Sequence, residues 1–557
     1  MPTELELKYE LSILEIDENE NEIQPLGNLR LFSVSSGTTI SSSTSIDQTY
    51  IDTNPGPYTL EGGTVDNILT ISIVSNLTIT SIDTYFIINS DYIIIKSDTT
   101  KSFVISINDV LLYGGLVLNS NNSNVLIDDI IIKGSNSTLN PGAGWIAGAS
   151  FGVNSSNILI QNCSNYLPIS FNSGGIVGRD SKVFTSLCNN YGELLVNPII
   201  LSTGLRDNSR SGGIYGRDCE GNCNKCTNNG IINGNRSGGI IGSTNQTFNI
   251  TNCSNNGAIN GATSAGIIAQ VFQNATLDNV LNIENCINFK FGNYNINNGN
   301  ITGSGSAGII FSIFNVSTTI INCENQGTIS DLSAGIVNQI IKPSNNPDNY
   351  TLIKSCRNYG KLFGSQTGGI VRYSTLVNIE SCSNYGNIEC DFFAGGIVYL
   401  SPNTTTNILN CNNEGIISGR KSGGIFGFQS QGTATNCTNN GEVSAQNSGG
   451  IVGPNSLVNV INCTNSGNIT GEGAGGIYGA GCGQSVIVDN SINNGEISGN
   501  NAGGIFGAWC PGTAKNCTNA GSITGVSSGG IFGEFSTGSA VDCVNNGKID
   551  GYNARSI

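Results

Sequence analysis

Two short strings alternate along this chain, and their spacing restricts what it can fold into more than any other feature. The first is Asn-Cys-x-Asn-x-Gly or a close variant. Its cysteine falls at Cys163, Cys188, Cys226, Cys253, Cys286, Cys323, Cys356, Cys382, Cys411, Cys437, Cys463, Cys517 and Cys543, with Ser491 in the same place in one copy. The second is Gly-Gly-Ile-x-Gly or a close variant. Its isoleucine falls at Ile176, Ile214, Ile240, Ile267, Ile309, Ile336, Ile370, Ile397, Ile425, Ile451, Ile477, Ile505 and Ile531. From Cys437 to Ile451 is 14 residues and from Ile451 to Cys463 is 12, a period of 26 that holds with little change to the end.

That period is too short for the common helix-pair repeats, and Gly recurs every few residues. Each Gly inside a helix would cost about 1 kcal/mol. Short strands separated by Gly and Asn turns fit better. The sequence therefore predicts an all-β, right-handed parallel β-helix with about three short strands per 26-residue coil. One strand carries Gly-Gly-Ile-x-Gly. One precedes the Asn-Cys pair, as in Val458 to Cys463. One carries the x-Ile-x-Gly that follows, as in Ile469 to Gly471. Equivalent residues then stack as ladders: Ile on Ile, Asn on Asn, Cys on Cys. Asn439 and Asn465, after the cysteine, suit left-handed turn positions.

The cysteine poses a facing problem. Ile379 precedes Cys382 by three positions and Val460 precedes Cys463 by three, so strict alternation puts the thiol on the outer face. Either a bend at the intervening residue returns it to the interior, or it points out. The burial habit of free cysteine favours the bend.

The order Gly-Gly-Ile-Val-Gly … Asn-Cys-x-Asn-x-Gly-x-Ile-x-Gly resembles the GLUG-type repeats of bacterial surface proteins. The Asn/Ile-rich stretch GGTVDNILTISIVSNLTITSIDTYFIINSDYIIIKS, residues 62–97, is similar to β-helix repeat proteins of giant DNA viruses of amoebae. The repeat resemblance covers about residues 150–557. It implies a pectin-lyase-like solenoid and brings no shared catalytic residues with it.

Four segments are expected. Residues 1–30 form an acidic strand or cap, with Leu5, Leu7, Tyr9, Leu11 and Ile13 alternating. Residues 31–56 read as a Ser/Thr-rich irregular lead-in or linker. Residues 57–150 read as less regular first coils, and 151–557 as the regular repeats. Ile557 falls on the isoleucine position of the second string, so the chain stops in mid-coil, which suggests self-association at an open C-terminal edge.

Composition narrows the function. The formal charge of −16 disfavours a phosphate backbone, so no nucleic-acid partner is expected. No apolar run is long enough to span a bilayer. The N-terminus has no signal-peptide pattern, which places the chain in a virion or host cytoplasm, with the cell surface as the alternative. The chain has no His, which removes Ser-His-Asp catalysis and every His-containing metal site. Neither a cofactor nor a metal is called for. Cys219, Cys223 and Cys226 lack an evident fourth ligand. Asp128 and Asp129 are adjacent, so they face opposite ways on a strand. Asp207 and Asp218, near Arg206, Arg210 and Arg217, make the densest mixed-charge patch, read as solvated ion pairs. Cys482 and Cys510 occupy equivalent places in successive coils, within reach of a disulfide.

The metre breaks four times, all between residues 190 and 355. Longer loops on a rigid solenoid are common carriers of binding. Those loops bear Phe272, Phe289, Phe291, Tyr294 and Tyr350, which could stack on sugars or anchor a protein partner. The leading expectation is a non-enzymatic structural or adhesive rod, in a virion or on a surface, whose partners are glycans or a surface or virion protein. The alternative is a carbohydrate-active β-helix enzyme, a polysaccharide lyase or glycosidase.

Overall fold

The computed structural model describes residues 37–98, 102–195, 209–272, 280–288, 302–342, 351–390, 392–401 and 406–556. They form a right-handed parallel β-helix. One long sheet runs from Thr44–Ile46 through 18 parallel strands to Ser539–Val541. A second has 17 strands, from Leu77–Ile79 to Val544–Asn545. At the usual interstrand spacing the first sheet extends about 80 Å along the axis.

The third face follows the Gly-Gly-Ile-x-Gly string. A four-stranded sheet opens it at Thr38–Ile40. Single bridges at Ala147, Val177 and Tyr215 continue it into a seven-stranded sheet that ends at Val398–Leu400. Bridges through Phe426, Val452, Tyr478 and Phe506 carry it on to Phe532. Residues 38–46, within the predicted lead-in, already pair in register with the next coil, Thr38 on Tyr58 and Ile46 on Ile73. A short helix, Gln48–Thr53, turns that first coil, capped where the Asp47 carboxylate accepts the Tyr50 N–H at 2.8 Å. The N-terminal strand expected in 1–30 lies outside the described residues.

The facing problem is solved by the residue before each cysteine. Asn162, Leu187, Lys225, Asn252, Asn285, Asn322, Ser355, Ser381, Asn410, Asn436, Asn462, Asn490, Asn516 and Asp542 all adopt left-handed backbone, with φ between 47° and 56°. That one residue reverses the alternation and turns the next side chain inward. Cys163 through Cys517 are buried, and Cys543 is half-buried.

Asn439 and Asn465 do not take the left-handed role expected of them. They sit in short strands, Thr438–Asn439 and Thr464–Asn465, paired residue on residue. Their side chains point inward. Each such Asn donates its amide to the oxygen of the Asn one coil on, in an unbroken column from Asn165 to Asn545 with spacings of 2.7 to 2.9 Å. The second amide hydrogen goes to the carbonyl two residues ahead, Asn439 to Gly441 at 2.7 Å. Fully buried amides are tolerated because both hydrogens and the oxygen are partnered.

This column divides the interior. On one side lies the main core of Ile from Gly-Gly-Ile and the thiols. On the other lie small clusters of the x-Ile-x-Gly residues, among them Ile388 and Ile417, then Val443 and Ile469, then Ile497 and Ile523. The column also explains the second Gly of the Gly-Gly pair. A Cβ at Gly213 would stand 2.6 Å from the Asn228 amide oxygen and closer still to the Gly239 carbonyl. The need is close approach, since φ at Gly213 is not positive.

Candidate functional site

Many corners are turned by one device: a left-handed residue, then an inward Ser or Cys whose oxygen or sulfur takes a backbone N–H from the preceding coil. At the thiol corner, Cys437 N–H donates to Cys463 Sγ at 3.4 Å, and Cys463 N–H donates to Ser491 Oγ at 3.1 Å. This is why Ser491 replaces a cysteine without breaking the ladder. At the corner before Gly-Gly, Ser422 N–H donates to Ser448 Oγ at 3.1 Å. At the corner after Gly-Gly-Ile-x-Gly, Ser430 N–H donates to Ser456 Oγ at 3.1 Å and Cys482 N–H to Cys510 Sγ at 3.2 Å.

Cys482 and Cys510 are therefore stacked as the register predicted, but they are free thiols. They do the work of Ser456, and the Cys510 sulfur is engaged by a backbone N–H. Cys219, Cys223 and Cys226 are likewise free and buried. Thr185 Oγ1 donates to Cys223 Sγ at 3.3 Å, and Cys253 Sγ lies 3.6 Å from Cys223 Sγ. Among the described residues no group of three or more His, Cys, Asp or Glu is arranged to hold a metal ion. Burial pushes the thiols of Cys188, Cys253, Cys323 and Cys382 up, and that of Cys517 up to about 12. Those five thiols are held neutral, a poor basis for nucleophilic chemistry.

Of the aromatics expected to bind, Phe272 ends the strand Ile268–Phe272 and pairs with Phe314 in the next coil. The Arg210 guanidinium lies over its ring at 5.5 Å. Phe289, Phe291, Tyr294 and Tyr350 lie outside the described residues, as do Arg206 and Asp207. Asp128 and Asp129 do not face opposite ways: the strand Val125–Asp128 ends there, and Asp129 takes the left-handed corner with φ 55°, which reverses the alternation and leaves both carboxylates on the outer face, Asp128 accepting from Asn162 at 2.8 Å and Asp129 from Ser102 at 2.8 Å. Within the mixed-charge patch Arg217 pairs with Asp218 at 2.6 Å, but both side chains are largely buried rather than solvated, and in the adjacent coil Arg179 pairs with Asp180 at 3.4 Å. Asp180 and Asp218 occupy the same left-handed corner in successive coils, with Asp180 N–H bonded to the Arg217 carbonyl at 2.9 Å. Burial raises the Asp180 carboxyl, and the Asp218 charge adds to the rise against the opposing pull of Arg179.

A concavity lies elsewhere, in the regular repeats. It is a groove of about 440 Å³ whose lining includes Lys421, Gln446, Asn455, Glu472, Trp509 and Phe535. It runs between the two corner columns that flank the Gly-Gly-Ile-x-Gly strand. Backbone bonds tie those columns together, Ala480 N–H to the Asn447 carbonyl at 3.2 Å and Ala508 N–H to the Gly473 carbonyl at 3.1 Å. The depression opens where one coil carries only Gly473, Ala480 and Gly481. Trp509 and Phe535 form one wall, 62% and 58% exposed, with ring centroids 4.4 Å apart at 25°. The sequence held a signal for them. In the string Gly-x-x that follows Gly-Gly-Ile, other copies end in Ser150, Asp180, Asn455 or Gly481, and these two end in Trp and Phe.

No protein-family model, curated protein or solved structure matches the chain. The likeness to GLUG-type repeats rests on the repeat strings alone. No helix among the described residues is long and apolar enough to cross a membrane.

Proposed function

We propose that the protein is a non-enzymatic, rigid rod that acts as a structural or adhesive element through its lateral surface. The observation that carries this reading is the uninterrupted amide column from Asn165 to Asn545. It commits the interior of every coil it crosses to holding the next coil, at the cost of any ligand cavity within. What is left for recognition is the outer face, where stacked aromatic pairs stand exposed: Tyr166 on Tyr191, Tyr359 on Tyr385 and Trp509 on Phe535. The groove is lined by one carboxylate, Glu472. Glycoside hydrolysis ordinarily uses two.

Beads coated with the full chain should be retained on polysaccharide-coated or cell-coated surfaces and should release no new reducing ends from them. Release of reducing ends, or no retention on any surface, would contradict the reading. The repeat resemblance supports a place in a surface layer or virion. Quantitative mass spectrometry of purified particles against cell fractions tests that placement.

A second reading, a carbohydrate-active enzyme, has one observation in its favour. Asp180 and Asp218 stack at one corner, and the first has a raised pKa, the pattern of an acid–base pair. If it holds, the full chain cleaves a polysaccharide and Asp180→Asn or Asp218→Asn abolishes the cleavage.

A further inference from the structure

We propose that the groove between Lys421 and Phe535 binds a neutral oligosaccharide lying along the rod axis. This deepens the adhesive reading and rests on it for its biological purpose, though not for its chemistry.

The exposed, stacked rings of the groove wall point to a ligand. Trp509 and Phe535 both adopt left-handed backbone, each with φ 61°. An L side chain there costs on the order of 1 kcal/mol, which the stacking of the two exposed rings on each other partly offsets. The same corner elsewhere carries Ser150, Asp180, Asp218, Gln429, Asn455 and Gly481, small or polar residues suited to the conformation. Two adjacent coils thus hold large rings in a strained conformation and expose them. Large residues take left-handed backbone at other corners as well, Tyr92, Leu187 and Leu332 among them, so it is the exposure of a stacked ring pair along the groove that an aromatic platform for the C–H face of a sugar ring explains.

The rest of the lining matches the same ligand class. Gln446, Asn447, Asn455 and Asn501 bring amides that both donate and accept, as sugar hydroxyls require. Lys421 and Glu472 bring one charge of each sign, so the groove is balanced within a chain of net charge −16. An acidic polysaccharide would meet the repulsion of the whole molecule. At the far end of the groove a second aromatic group stands beside Lys421. Phe393 and Phe428 have ring centroids 4.6 Å apart, and the Lys421 ammonium lies 5.8 and 5.7 Å from them. Phe428 and Trp509 are three coils apart, about 14 Å along the axis. That places an aromatic at each end and amides between.

The chain carries its own reporter. Of its two tryptophans, Trp145 is fully buried and Trp509 is exposed, so a ligand-dependent change in emission reports on the groove. The experiment titrates the full chain with neutral hexasaccharides of β-1,4-glucan, β-1,4-mannan, α-1,4-glucan and N-acetylglucosamine, with hexagalacturonate as the acidic control. At least one neutral hexasaccharide should give a saturable blue shift, and the acidic one none. Two variants suit the local backbone and keep the fold: Trp509→Asn, which removes the platform, and Gly481→Asn, which fills the depression. Each should weaken binding, read by calorimetry, about tenfold or more. Trp509→Asn should melt no lower than the parent.

Failure of every neutral hexasaccharide at millimolar concentration overturns the proposal. So does binding that survives Trp509→Asn and Gly481→Asn, and so does capture of a protein ligand by the groove in place of the sugars. If coated beads adhere to surfaces but the sugars fail, the adhesive reading stands without this groove. If the sugars bind and the beads do not adhere, the groove stands and the adhesive reading falls.

Discussion

The side-chain amide of Asn439 donates to the amide oxygen of Asn465 at 2.8 Å, and both residues are fully buried. Asn413 donates to Asn439 in the same way, and Asn439 also donates to the Gly441 carbonyl. Substituting Asn439 with Ala therefore leaves the Asn413 donor, the Asn465 oxygen and the Gly441 carbonyl short of a partner at once. The cost should be on the order of 3 kcal/mol, because each orphaned buried group loses its hydrogen bond without regaining water. In a stack of coils this cost is local. Hydrogen exchange should show faster opening in the coils holding Asn413, Asn439 and Asn465, and unchanged protection near Asn190.

The left-handed residue before each cysteine makes a second prediction. Asn462, with φ 54°, tolerates replacement by Gly at little cost. Asn462→Val should lose about 1–2 kcal/mol, since a β-branched side chain is poorly accommodated there. Lys225 adopts φ 53° at the same corner, and Lys225→Asn should gain about 0.5–1 kcal/mol. Thermal melts of the three variants, run side by side, check the order Val below parent and Asn above it.

Thiols held neutral by burial make stability fall at alkaline pH. An unfolded cysteine ionises near pH 8.5. Burial holds Cys188, Cys253, Cys323, Cys382 and Cys517 neutral well above that. Below pH 8.5 both states carry the proton and these groups contribute no pH dependence. Above it the unfolded chain releases protons that the folded chain retains, so stability falls as pH rises, by up to about 1.4 kcal/mol per pH unit for each such thiol. Urea midpoints measured from pH 8 to pH 10.5 should decline. Cys323→Ser should make the decline shallower, since its hydroxyl can take the sulfur's place as Ser491 does.

Accessibility follows from the same burial. Under native conditions a maleimide should leave Cys163 through Cys517 unlabelled and react first at half-buried Cys543. In urea all should react. Peptide mapping of early label at Cys253 or Cys411 would contradict the inward ladder.

The period, the parallel stack and the stacking of like on like were legible because a solenoid writes its geometry into residue spacing. The roles of the two asparagines around each cysteine were not. Asn436 and Asn439 are the same residue type, one suited to left-handed backbone and the other to a buried amide column, and Asn is competent at both. The strand pairing of Thr438–Asn439 with Thr464–Asn465 decides between them, and pairing is a property of the neighbouring coil. The candidate site escaped for a related reason. Binding aromatics were sought where the metre breaks, at Phe272 and the loops beyond it. Trp509 and Phe535 lie where the metre is regular, and they betray themselves only as the wrong residue type within a column. Cys482 and Cys510 were placed in correct register, but the register alone does not distinguish a disulfide from a sulfur that accepts a backbone N–H.

The continuous stack itself is tested most directly by distance. Lys182 and Leu457 are exposed and occupy equivalent positions on the first long sheet, nine coils apart. Spin labels introduced there through an unnatural amino acid leave the native thiols untouched. Pulsed dipolar spectroscopy should then give one narrow distribution centred near about 43 Å, nine interstrand spacings. A broad distribution, or a maximum far from that length, would contradict a single unbroken β-helix between the two sites.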